Sequence, residues 1–423
     1  MSSHSNDVVV TGLGPVTSIG VGSEALWSSL TAGRTRVVAR KLALGVGEFV
    51  DMPVAGMPPV SDVPGLNAHL RSLAEQDCHA YRDLAYALLA AELALADAGL
   101  QYDRDTNNIG AVQAFEAPGV ERTVCHLLEL FNAPAPPDGP PPVYDLLAPS
   151  FYNSQAFLYV HVLGKALGLH GFSTSVHNAC SSGAFAVEVA AERIRSGRAD
   201  VMMVVGGEAF DTAVRLEWFR RLNLYALDGR MRPFDEEPSG FHVGEGAGAL
   251  VLESAAHAAE RGATPYAAYA GGAFAQQASK QTTPDVGAAR LGGLITEALE
   301  DARVSAHDLH LIVPHGACTA LSDGYEAECL ARALKGTREH AVATAFKPHV
   351  GHLLAASSII ETICALLAMK HQSVPATLHA RPDHVKLAVP LVTTQVRRRR
   401  IDTVLKLSTG FTGHDAATVF RKL

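Results

Sequence analysis

Short aliphatic runs that lead at once into glycine, and then into helical stretches, set the tightest limit on what this chain can fold into. Val8-Val9-Val10 runs into Thr11-Gly12-Leu13-Gly14, and Val201-Met202-Met203-Val204-Val205 into Gly206-Gly207. Each reads as a buried strand ending in a glycine turn. Residues 84–98 repeat apolar positions at helical spacing and stop at Gly99, and 181–196 are small residues or good helix formers followed by Gly197. The second half continues with helices predicted at 290–302, 323–334 and 353–369 and strands at 309–313 and 341–345. After residue 232 a turn precedes a glycine-punctuated strand that ends near Glu253. Strands alternating with helices predict an α/β protein of mostly parallel sheets covered by helices, with its chemistry in loops at the C-terminal ends of strands.

A chain of 423 residues with 48% hydrophobic and 18% charged residues has ample material for one large domain or two ordinary ones. A net charge of -8 gives no general attraction to nucleic acid or anionic membrane. The apolar stretch 84–100 is interrupted by Glu92 and Asp97, and the N-terminus has no basic segment followed by an apolar run. The expectation is a cytoplasmic protein with neither nucleic acid nor membrane as partner. Cysteines at 78, 125, 180, 318, 329 and 364 form no paired motif and read as reduced. A dinucleotide fingerprint fits poorly after the first strand, because Pro15 and Thr17 stand where its last glycine and the approach to it belong. The proline-rich run 132–142 reads as an exposed loop.

Cys180 opens the helix predicted at 181–196. Free N–H groups and aligned peptide dipoles there favour a thiolate, although a lone cysteine among alanines is also an ordinary small hydrophobe. A cysteine nucleophile needs a proton manager and a charge stabiliser, and His315 and His352 lie in two loops that follow predicted strands. Either histidine alone reads equally as a structural one. The spacings His315-x-x-Cys318 and His349-x-x-His352 leave a zinc site as a weaker alternative.

Taken together these segments resemble the β-ketoacyl synthases, the elongating branch of the thiolase-like superfamily. Ala179-Cys180-Ser181-Ser182 matches the family's cysteine elbow, His315-Gly316-Ala317-Cys318-Thr319 its His-Gly-Thr-x-Thr loop, and Lys347 to His352 its Lys-x-x-x-Gly-His segment. Asp323 and Glu326 follow His315, Glu361 stands where the family places the partner of its lysine, and Arg232 to Asp235 and Gly244 to Gly248 match a middle signature. The resemblance implies a five-layered αβαβα sandwich of two similar α/β halves, 1–255 and 256–423. It implies decarboxylative condensation of an acyl thioester with malonyl on an acyl carrier protein. In that scheme Cys180 carries the acyl group, His315 and His352 promote decarboxylation, Lys347 and Glu361 order the site, N–H groups of Cys180 and Phe411 form an oxyanion hole and gate, and Thr319 binds pantetheine. No metal or intrinsic cofactor is implied, since substrates ride on the 4'-phosphopantetheine of the carrier, and a homodimer or a heterodimer with a related subunit is expected.

A thiolase would need a second cysteine in the loop 410–414, which has none. A chain-initiating synthase would have asparagine at 352, and a chain-length factor would lack Cys180. Departures cluster near the substrate: Ala317 replaces a threonine, Pro238-Ser239 replace Arg-Asp, and the closing signature Asn-Ser-Phe-Gly-Phe-Gly-Gly-Thr-Asn reads Leu407 to Asp415, with Thr412 in place of a glycine. They point toward a type II polyketide or specialised fatty-acid pathway. Two alternatives are an acyltransferase that passes its acyl group to an oxygen or nitrogen without decarboxylation, and a non-catalytic partner of another synthase. Arg215, Arg220, Arg221 and Arg397 to Arg400 are candidate docking residues for an acidic carrier.

Overall fold

Why the chain forms layers is visible in how its strands alternate. The computed structural model describes residues 7–45, 47–75, 81–133, 154–287, 290–336, 340–394 and 396–423. Among the described residues one large sheet has eleven strands, a two-residue one, Gly20–Val21, paired only to the first, and ten in line: β1 Val8–Thr17, β2 Gly110–Ala114, β3 Ser173–Val176, β4 Val201–Glu208, β5 Gly246–Ser254, β6 Ala267–Gln276, β7 Leu311–Val313, β8 Val342–Ala343, β9 Thr403–Thr409 and β10 His414–Arg421. Their order is β8-β7-β9-β10-β6-β1-β5-β4-β2-β3. Counted outward from the seam between β6 and β1, both sets of five run first, fifth, fourth, second, third. The seam is short, pairing Val8 with Tyr269, Val9 with Ala268 and Val10 with Ala267.

Side chains alternate across each set. Val112, Val204 and Leu250 face an inner core shared with Leu311, Val313 and Val404, whereas Ala111, Val205 and Val251 face one outer core and Ile312 and Leu405 the other. The inner core is filled by helices α2 (Ser182–Arg195) and α6 (Ser357–His371). Helix α1 (Arg82–Asp97) covers the first set, and α4 (Arg290–Asp301) with α5 (Ala320–Ala333) the second. The result is the αβαβα sandwich, its middle layer made of one helix from each set. The apolar helical stretch 354–371 is long enough to cross a membrane, but here it is buried between the two strand sets.

Three expectations need correction. The sheets are mixed: β2 pairs parallel with β3 and β4, and β7 with β8 and β9, but every pairing from β4 through the seam to β9 is antiparallel. Physically, β4 returns to β5 through a long loop excursion and β9 to β10 through a tight turn, so neither uses the crossover helix that a parallel neighbour requires. The glycines after Val10 make no turn either, since β1 continues to Thr17. They serve close packing instead, because a Cβ at Gly14 would collide with the Ala90 carbonyl of α1. The strand predicted at 341–345 is only Val342–Ala343, and the helix predicted at 353–369 is a single 3-10 turn followed by Ser357–His371. Cys78 and most of the proline-rich run lie outside the described residues.

Gly14→Ala is expected to lower stability in urea by about 1–3 kcal/mol, because the obstructing atom belongs to helix backbone. Gly293→Ala, on the exposed face of α4 where a Cβ meets nothing, should be neutral or mildly stabilising by comparison.

Candidate active site

Cys180 sits on a single 3-10 turn, Ala179–Ser181, immediately ahead of α2 rather than in the helix itself. Ala179 holds φ 49, a left-handed conformation that an L-residue adopts only at a cost of about 1–2 kcal/mol. Phe234, Cys318, Leu354 and Thr412 also have positive φ, at 58, 63, 44 and 63. Half of the ten non-glycine residues with positive φ among the described residues thus lie in these segments.

A cavity of about 290 Å³ brings the predicted residues together: Cys180, His315, His352, Thr319 and Phe411 all line it. The His315 and His352 rings meet edge to face with centroids 5.5 Å apart, and Phe241 packs on His352 at 5.0 Å. Ala317, Pro238 and Ser239, three of the departures, line the same cavity. Lys347 and Glu361 do not line it. They lie beneath it, both almost fully buried, with Lys347 Nζ 2.6 Å from Glu361 Oε1.

Lys347 uses its remaining donors on His315. Its Nζ lies 2.5 Å from the His315 carbonyl oxygen and 3.3 Å from His315 Nδ1. An ammonium group has no lone pair to offer, so Nδ1 is the acceptor and the ring proton of neutral His315 resides on Nε2. His352 Nδ1 lies 2.7 Å from Ser357 Oγ, a hydroxyl that can donate or accept, so this contact orients the ring and leaves both neutral tautomers open to it. Burial pushes both imidazoles well below their ordinary pKa, and Lys347 and Lys406 add to the shift, with His352 contributing at His315. Both rings are therefore neutral at neutral pH.

Asp323 and Glu326 act through the backbone. Glu326 accepts the N–H groups of His315 and Gly316 at 2.6 and 2.9 Å, and Asp323 those of Cys318 and Phe234 at 2.9 and 2.6 Å. Burial raises both carboxyl groups to about 7. Opposite them, the turn 410–413 closes over Cys180. The Phe411 N–H points at the Cys180 sulfur, and a Cβ at Gly410 would lie 3.3 Å from the Cys180 nitrogen. On its outer side the Phe411 ring meets Trp218, a half-exposed residue of the surface helix α3 (Val214–Arg221), edge to face at 5.7 Å.

Several sequence expectations fail here for identifiable reasons. Cys180 is not poised as a thiolate: burial pushes the thiol up, Glu116 and Glu208 add to this, and Lys347 and the Phe411 N–H oppose it only in part. Arg215 is no docking residue, since its guanidinium is buried against Glu121 at 2.8 Å and Glu208 at 3.3 Å. Arg220 and Arg221 are more exposed but share Glu217 on their own helix. Arg397 and Arg398 form an exposed short strand, a position that a docking residue could occupy. His349 faces two backbone carbonyl oxygens, of Arg34 and Ala376, which makes it structural and disposes of the zinc alternative it belonged to. The sequence reading missed Lys406, whose Nζ reaches Glu361 Oε2 at 2.8 Å from β9. A lysine inside the apolar run Val404-Leu405-Lys406-Leu407 was the available signal.

Two strand sets of one order around a common helix pair, the nucleophile turn supplied by the first and both imidazoles by the second, define a thiolase-like acyl-transfer scaffold. Comparison with known proteins agrees. The model of the β-ketoacyl synthase N-terminal domain matches residues 5–258 and that of its C-terminal domain residues 266–381. 3-Oxoacyl-[acyl-carrier-protein] synthase 2 of Rhizobium meliloti is 30% identical over 98% of this chain and 98% of its own length. The tetracenomycin polyketide synthase ketoacyl synthase alpha subunit of Streptomyces glaucescens is 29% identical over 98% and 97%. Among solved structures, the ketosynthase bound to its type II polyketide acyl-carrier protein in AntDE:AntF and the ishigamide ketosynthase/chain length factor each superpose with a TM-score of 0.82 at 26% identity, covering 99% of both chains. The chain belongs to the β-ketoacyl synthase family.

Glu361→Gln strips the buried Lys347 and Lys406 of their shared anion and is expected to cost about 3 kcal/mol or more in urea unfolding. Alkylation of Cys180 by iodoacetamide, followed on its own peptide by mass spectrometry, is expected to keep rising beyond about pH 9, the ordinary thiol value, without a plateau near neutrality.

Proposed function

We propose that this chain is a β-ketoacyl-[acyl-carrier-protein] synthase that condenses an acyl thioester with malonyl on an acyl carrier protein, with loss of carbon dioxide, in a type II polyketide or specialised fatty-acid pathway. The reading rests on one observation above all: a buried thiol and two neutral imidazoles share a single cavity, with a lysine beneath it that dictates which nitrogen of one ring carries the proton.

The chemistry follows from those groups. Cys180 gives its proton to an imidazole as its sulfur attacks the acyl carbonyl. His352 is suited to receive it, because Ser357 engages one ring nitrogen and leaves the other for the cavity. The oxyanion accepts hydrogen bonds from the N–H groups of Cys180 and Phe411, and collapse expels the carrier thiol, which takes the proton back. When malonyl thioester follows, the bond to its carboxylate breaks, carbon dioxide leaves, and the bonding electrons remain as an enolate whose oxygen accepts hydrogen bonds from His315 Nε2–H and from His352 Nε2–H, the His352 tautomer in which Nδ1 accepts the Ser357 hydroxyl instead of donating to it. The enolate carbon then attacks the acyl-Cys180 carbonyl. Breaking the C–S bond releases the β-ketoacyl product, and the Cys180 thiolate takes up one proton from solvent, the proton that the overall condensation consumes.

Neutral histidines suit this role, since an imidazolium could not take the thiol proton. No intrinsic cofactor is called for, because loss of carbon dioxide supplies the carbon nucleophile. The same reading divides the chain into functional halves 1–255 and 256–423, places Thr319 on the pantetheine arm and the reaction in the cytoplasm, and pairs the chain with a second copy or a related ketosynthase-like subunit.

Incubation with acyl and malonyl carrier proteins is expected to yield a β-ketoacyl carrier with release of one carbon dioxide per turnover, read by intact-protein mass spectrometry. Cys180→Ala should abolish acylation, and His315→Ala or His352→Ala should lower condensation by about 100-fold or more. Acyl transfer to an amine or alcohol without carbon dioxide release would establish the acyltransferase alternative. Failure of Cys180 to accept any acyl group would establish the non-catalytic one.

A further inference from the structure

The cavity that holds Cys180 is lined by a carboxylate that the condensation does not use. Asp415 is fully buried at the start of β10, directly after the turn that carries Phe411. Its Oδ2 accepts hydrogen bonds from Gln277 Nε2 at 2.7 Å and from the Tyr325 hydroxyl at 2.9 Å. Its Oδ1 is buried and has no partner among the described residues. No lysine or arginine lines the cavity. Nothing in the wall therefore neutralises that oxygen by direct contact.

A buried carboxylate oxygen without a donor is costly and rarely kept. The bonds at Oδ2 also fix the group firmly, because they come from two separate walls. Gln277 lies just beyond β6 and its Oε1 accepts the Asp285 N–H at 2.7 Å, and Tyr325 stands on α5 with its hydroxyl also accepting the Leu291 N–H at 3.0 Å. Asp415 thus lines the cavity with one oxygen held in place and the other buried without a donor. The turn beside it is closed over by backbone bonds from Thr412 to Gln281 and from Gln277 to Gly413.

We propose that Asp415 is a ligand-binding residue, its free oxygen accepting a hydrogen bond from an N–H or O–H group of the thioester that enters the cavity. The proposal rests on the thioester reading above. The donor is either an amide of the arm that carries the acyl group or a hydroxyl on the acyl chain itself, and a site built to satisfy such a donor discriminates against ligands that lack it.

Binding to Cys180→Ala protein, which cannot react, separates this proposal from the question of whether condensation occurs. Calorimetric affinities would be compared with and without Asp415→Asn for hexanoyl-pantetheine, for the S-methyl thioester of hexanoic acid, and for that of 3-hydroxyhexanoic acid. Loss of one hydrogen bond to a charged acceptor is expected to weaken binding about tenfold or more. Selective loss for hexanoyl-pantetheine assigns the arm amide as the donor, and selective loss for the hydroxyacyl ester assigns the acyl hydroxyl. Equal affinities for all three ligands with and without the substitution, or an equal loss for all three, overturns the proposal. A second measurement leaves Asp415 in place. Burial raises its carboxyl to about 6, against the opposing pull of Gln277, Tyr325 and the Arg290 charge, so the affinity of the donor-bearing ligand should fall as pH drops through that value while that of the S-methyl hexanoate stays flat. A flat response for both overturns it equally.

Discussion

Everything at the site depends on one carboxylate that holds two ammonium groups where there is no water. Glu361 reaches Lys347 with one oxygen and Lys406 with the other, and all three side chains are almost fully excluded from solvent. Isolated charges would not survive there, and even a matched set gives little net stability once desolvation is counted. What the set provides is placement. Glu361 belongs to the central helix α6, Lys406 to β9, and Lys347 to the short helical turn before His352, so the three tie the middle layer, a strand and a catalytic loop to one point. Through Lys347 that point extends to His315, and an electrostatic arrangement beneath the floor becomes the choice of proton position above it.

The same arrangement explains why the sulfur rests as a thiol. Burial sets the balance, Glu116 and Glu208 raise the cost of an anion at the sulfur, and the charge of Lys347 below offsets this only in part. On the proposed mechanism, activation is deferred until a substrate presents a carbonyl whose developing charge is shared with the Cys180 and Phe411 amides. A strained backbone at Ala179 and Thr412 holds both amides in readiness, the cost having been met by folding rather than by the reaction.

The residues that the structure brings together, and that the proposal makes catalytic, were legible in the sequence because each sits in a short motif whose spacing is imposed by local geometry: a cysteine before a run of small helix formers, histidines after strands, a lysine five residues before His352. The layer architecture was legible for a related reason, since strand alternation and helical periodicity are local. What escaped the reading was settled by residues far apart in the chain. Arg215 looked like a surface charge until Glu121, 94 positions away, took it inward. Gly12 and Gly14 looked like a turn because glycine serves tight turns and close packing alike, and only the position of α1 decides between them. Strand direction depended on the paths of loops, which composition does not encode. Lys406 was visible as an oddity, but its meaning required Glu361 from a different element.

The contact between Trp218 and Phe411 carries a mechanical consequence. Helix α3 lies on the outside of the molecule, yet one of its aromatic rings rests against the ring of the residue whose amide faces the sulfur. The two rings form a short rigid linkage from surface to nucleophile, with no flexible side chain between them to absorb a displacement. Pressure applied to that helix by any body leaning on it is delivered within two side chains to the lid over the reacting atom.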